Sequence, residues 1–251
     1  MSDVREPRHA RVVHAQVTSP KEAQTTLEKA NRLTKAGDHE HARLSYELAS
    51  RLFGDLKDRL GQGHTLLALG NLELAQRRTA EARTAYKRAG ALYRDKMNRL
   101  GQAHALLGIG HSDRVEGNMN KARGAYEHAH KLYLLERHDQ GQAHTFLGMG
   151  HIDRVRGLRD QAHDNFLKAL TLYTESDGFL GRSDCFFGLG LLYTDKNPAM
   201  AARYYAQAAD QYRALGLDDL ASRASGRSLR LLDRAQTTLA TKPHPRAGQN
   251  E

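Results

Sequence analysis

Histidine recurs along this chain at a fixed interval. His64, His104 and His144 lie forty residues apart; His111 and His151 follow the last two by seven, and Arg114 and Arg154 follow those by three. Imidazoles beside guanidiniums could move protons near neutral pH, ligate a metal, or hold an anion. Seven residues of α-helix span about 10.5 Å, whereas zinc needs its ligand atoms at about 2.0–2.1 Å. The pairs His104/His111 and His144/His151 therefore cannot share one ion, and no metal is expected. Catalysis lacks support as well: the sequence holds no Gly-x-Ser-x-Gly, no His-Glu-x-x-His and no Gly-rich phosphate loop between a strand and a helix. Cys185, beside Phe186 on an apolar stretch, reads as a packed residue, so no catalytic residue and no cofactor is expected.

Anion binding remains, and helical spacing gives it a surface. Residues three, four and three apart share one helix face. That face carries His64, Leu67, Asn71 and Leu74 in one stretch, His104, Leu107, His111 and Arg114 in the next, and His144, Leu147, His151 and Arg154 in a third. A fourth stretch, Asp184, Phe187, Leu191 and Thr194, breaks the pattern. The expected surface is a row of exposed ionisable groups with leucines beside them, suited to an acidic, partly apolar segment. Exposed imidazoles would charge near pH 6.5 and strengthen such binding on acidification. The competing reading is that duplicated repeats keep these residues by descent and use them only to solvate the face.

The elements that must position this face are themselves repeated. Gly61, Gly101, Gly141 and Gly181 form one column at a period of forty, and Gly70, Gly110, Gly150 and Gly190 another. Behind them come Ala82, Ala122 and Ala162, then Tyr86, Tyr126 and Phe166, and then Tyr93, Tyr133 and Tyr173. Apolar spacings of three and four predict two helices per unit, with Gly and Ala letting them approach closely and the aromatic ring filling the gap. The units fall at about 19–58, 59–98, 99–138, 139–178 and 179–216, the fifth dropping one residue at Thr194-Asp195-Lys196-Asn197-Pro198. Ser19-Pro20-Lys21-Glu22 is a helix start. Residues 217–240 read as a capping helix, and 1–18 and 241–251 as disordered tails.

The predicted fold class is all-α, a solenoid of five helical hairpins. The net charge of +9 favours acidic partners, although much of it can serve solubility alone. One cysteine excludes an intrachain disulfide. No apolar run reaches the ~18 residues of a membrane span, and the N-terminal stretch lacks the apolar segment of a signal peptide, so a cytoplasmic protein with no membrane contact is expected.

The register of Gly, Ala, Tyr or Phe, and Ala over residues ~19–212 resembles the tetratricopeptide repeat (TPR). The period of forty exceeds the usual ~34 and is similar to the longer subtype of Pins-type adaptors and of the sensor arms of signalling NTPases. The resemblance implies a right-handed superhelix whose first helices line a concave groove that binds protein or peptide. It places His64, Asn71, His104, Leu107, His111, Arg114, His144, Leu147, His151 and Arg154 in that groove. Glu73, Asp113 and Asp153 stand where the repeat usually has a core residue, and Arg83 and Arg123 are their expected partners. The functional expectation is a non-enzymatic adaptor for an acidic segment. A peptide or metabolite sensor is the alternative, and a nucleic-acid binder is disfavoured because the tyrosines are used in packing.

Overall fold

The computed structural model describes residues 19–240. The expected tails, 1–18 and 241–251, lie outside them. Ten helices pair into five hairpins: α1 (Pro20–Lys35) with α2 (His39–Asp55), α3 (Arg59–Ala75) with α4 (Thr79–Asp95), α5 (Arg99–Val115) with α6 (Met119–Leu135), α7 (Asp139–Val155) with α8 (Arg159–Glu175), and α9 (Phe179–Tyr193) with α10 (Pro198–Ala214). An eleventh, α11 (Asp218–Ala240), packs on α10. No strand occurs among the described residues, and none of their helices is long and apolar enough to cross a membrane.

Local chemistry sets the helix ends. The Ser19 hydroxyl accepts the Glu22 N–H at 3.1 Å, with Pro20 opening α1. Asp58, Asn98 and His138 repeat this cap at the starts of α3, α5 and α7, each accepting a glycine N–H three residues on. The loops are short because one left-handed residue reverses the chain. Gly117 and Gly157 adopt it freely at φ of 82° and 76°, while Arg77, Met97 and Arg137 hold φ of 60°, 51° and 52°.

The glycine columns work through rings. Tyr126 is clasped from both sides: a Cβ on Gly110 of its own unit, or on Gly148 of the next, would come within 2.6 Å of the ring. Real side chains do not approach so closely, so glycine there sets the helix separation. Tyr86 between Gly70 and Gly108, and Phe166 between Gly150 and Gly188, repeat the clasp.

Successive odd-numbered helices touch, α3 with α5, α5 with α7 and α7 with α9, while even-numbered helices of neighbouring units make at most marginal contact. The odd layer therefore has the smaller radius, and its free face is the inside of the curve.

Candidate functional site

The inner face is built on α3, α5, α7 and α9, and second-helix tyrosines reach through to it. Tyr86 donates its hydroxyl proton to Asn71 Oδ1 at 2.7 Å, and Tyr126 shares a hydrogen bond with His111 Nδ1 at 3.1 Å. Tyr46 does the same to Asn31 in the first unit, at the same separation of 15 residues. In the fourth unit Phe166 has no hydroxyl, and His151 meets its ring edge-on with centroids 5.1 Å apart. Tyr173 bonds His144 Nδ1 at 2.5 Å. His64 and His104 lie against Tyr93 and Tyr133, centroids 5.6 and 5.5 Å apart, and His104 also meets the ring of His138.

These contacts correct the titration expected from the sequence. Burial pushes His111 and His151 down to about 3, with Arg114 adding repulsion to both and Arg154 to His151. Burial also lowers His104 and His144. An imidazole packed on a ring and bonded to a phenol loses hydration when it charges, so the neutral form wins. These four imidazoles therefore gain their charge at lower pH than the sequence suggests, His111 and His151 far lower. The leucine strip changes too. Leu147 is buried among Ala143, Phe166 and Leu189, and Leu107 is half-buried between two core clusters, because the next unit covers these positions. His64, Asn71 and His144 are exposed; His104, His111, Arg114, His151 and Arg154 are half-buried.

The arginines are the unneutralised charges. Asp113, beside Arg114 in sequence, is held by Arg83 at 2.7 Å, and Arg83 also reaches Glu116 at 2.8 Å. Asp153 is held by Arg123 and accepts from Asn165 at 2.8 Å. Each carboxylate is thus taken by an arginine of the preceding second helix, and Glu73 by Arg78. Arg114 and Arg154 form no ion pair among the described residues, and the Nε of each is buried without a hydrogen-bond partner. Arg114 lies near the Tyr126 phenol, and burial lowers the pKa of Arg154, a sign that its charge is incompletely compensated. A cleft of about 440 Å³ among α2, α3 and α4 makes the contrast: its Arg43, Glu73 and Arg78 lie in ion pairs.

Chemically, the face offers guanidinium donors in sheltered surroundings with neutral imidazoles and hydroxyls between them. That arrangement holds oxyanions. Among the described residues no group of three or more His, Cys, Asp and Glu is placed to hold a metal ion, and Cys185 is buried with its thiol pKa pushed up by burial. Sequence reasoning missed the phenol partners of Asn71 and His111, although the shared separation was available as a signal.

Comparison by sequence finds no matching family and no similar curated protein. Comparison of structures finds many. RapI in its apo form superposes with a TM-score of 0.69 at 12% identity, over 88% of this chain and 84% of that one. TTC0263, a thermophilic TPR protein of Thermus thermophilus, gives 0.59 at 20% identity, over 82% and 99%. The fold is that of a TPR solenoid. Cut9, from the APC/C hetero-tetramer Cut9–Hcn1, gives 0.59 at 21% identity; the match covers 82% of this chain but only 37% of Cut9.

Proposed function

We propose that the inner face of this TPR solenoid binds an acidic, partly apolar segment of a partner protein, and that the chain is a non-enzymatic adaptor. One observation carries the reading: Arg114 and Arg154 stand half-buried on adjacent inner helices with unpartnered Nε groups, while the carboxylates beside them are committed to Arg83 and Arg123. Leaving a sheltered guanidinium donor unpaired is costly, and a partner's carboxylate would satisfy it. His104, His111, His144 and His151 then act as neutral hydrogen-bonding groups, with His64 and Asn71 extending the face toward the N-terminal units. Leu107 and Leu147 shape the floor from below. The likeness to Cut9, a component of a hetero-tetramer, agrees with a role in protein assembly. The proposed location is the cytoplasm.

The +9 charge makes nucleic acid the competing ligand. Fluorescence anisotropy with a glutamate-rich, leucine-containing peptide and with an oligonucleotide of equal charge separates the two. The peptide is expected to bind more tightly and to keep most of its affinity between about 50 and 200 mM salt, where phosphate-driven binding falls steeply. A tighter, strongly salt-dependent oligonucleotide complex would replace this reading.

A further inference from the structure

Helix α11 stands where the solenoid would place the first helix of a sixth unit. It packs on α10 as each odd-numbered helix packs on the helix before it, and its buried Ala224, Ser228 and Leu231 repeat the spacing of buried Cys185, Leu189 and Leu192 in α9. In this register α11 departs from its predecessors at one decisive place. Gly148 and Gly188 lie against Tyr126 and Phe166 of the preceding second helices, where a Cβ would come within 2.6 and 2.8 Å of the rings. The corresponding residue of α11 is Arg227, and the ring it faces is Tyr205. Its guanidinium carbon lies 5.8 Å from the Tyr205 ring centroid and 5.7 Å from that of Phe187.

An arginine cannot enter the gap that glycine leaves, so the closed contact of the earlier units is replaced by a cavity of about 200 Å³. It is lined by Thr194, Tyr205, Arg227, Arg230 and Leu231, together with Arg234. Thr194 occupies the inner-face position that holds Arg114 and Arg154 in the third and fourth units, and its hydroxyl shares a 3.1 Å hydrogen bond with Tyr205. Tyr205 is in turn an electrostatic neighbour of Arg154. Positive charge therefore continues past the fifth unit, supplied by the capping helix instead of by α9. Neither Arg227 nor Arg230 is ion-paired among the described residues, and both are exposed.

We propose that this cavity is an oxyanion subsite at the C-terminal end of the inner face, taking a carboxylate or phosphate group on a partner's acidic segment. Two guanidinium forks match either group. The link to such a segment rests on the function proposed above; the pocket itself does not.

Inorganic phosphate is the probe, observed by ³¹P relaxation at constant ionic strength with the whole chain. The parent protein is expected to bind it about tenfold more tightly than Arg227→Gln/Arg230→Gln, the loss of charge-assisted contacts. The exposed outer pair Arg137→Gln/Arg203→Gln, equal in charge change, should bind like the parent. Arg227→Gly, which restores the glycine of the preceding units, should also lose phosphate and serves if the double variant fails to fold. Displacement by acetate at comparable concentration marks a carboxylate subsite, and resistance to it a phosphate subsite; both support the pocket. Equal phosphate binding by the parent and the Arg227 variants, or none by the parent, overturns it. Phosphate binding without acidic-peptide binding would instead remove the groove reading and leave the pocket standing.

Discussion

The Arg114→Glu/Arg154→Glu protein folds with a melting midpoint near the parent's and binds an acidic segment at least about a hundredfold more weakly. A sheltered charge-assisted hydrogen bond contributes about 1.5–3 kcal/mol, two are removed, and the reversed charges add repulsion. Stability is spared because neither arginine is part of an ion pair: Asp113 and Asp153 keep Arg83 and Arg123. Replacement of unpaired, partly exposed charges typically shifts stability by about 0.5 kcal/mol or less. Melting and affinity are measured on the same preparation. Joint failure of both would make the arginines structural, and retained binding by a folded variant would remove them from the site.

The second large effect is loss of stability in mild acid. In the unfolded chain His111 and His151 take up protons near pH 6.5; in the folded chain burial holds them neutral down to about 3. Between those values unfolding absorbs protons, so the stability these two residues contribute is complete above pH 6.5 and is lost progressively as pH falls toward 3. Discounted for their partial exposure, the pair should cost the fold about 3 kcal/mol between pH 7 and pH 5. His111→Gln/His151→Gln should flatten the urea midpoint across that range. An equally steep decline in the variant would place the acid sensitivity elsewhere.

Periodicity carried the reading of the fold a long way. The columns of Gly70 and Tyr86, the cap at Ser19 and the pairing of Asp113 with Arg83 and of Asp153 with Arg123 follow from spacing, because they depend on contacts that recur in more than one unit. The site was less legible. A helical wheel gives the direction of a side chain but not what covers it, so Leu147 looked open although α8 and α9 close over it. The neutral state of His111 depends first on burial, to which neighbouring helices contribute, and its bond to Tyr126 of the next helix is equally invisible to any one-helix pattern. Arg227 was hidden for a related reason: the residue dropped before Pro198 takes it out of the forty-residue register, and its contacts with Tyr205 and Phe187 lie between helices.

The histidines themselves provide the most direct test, since they label both layers of the solenoid. Imidazole resonances are followed while a glutamate-rich peptide is added to the full chain. The proposed adaptor function predicts that His111, His144 and His151 on the inner helices shift together, while His41 on α2 and His128 on α6 stay still. Shifts confined to His41 and His128, or spread evenly over both layers, would contradict an inner acidic-segment site.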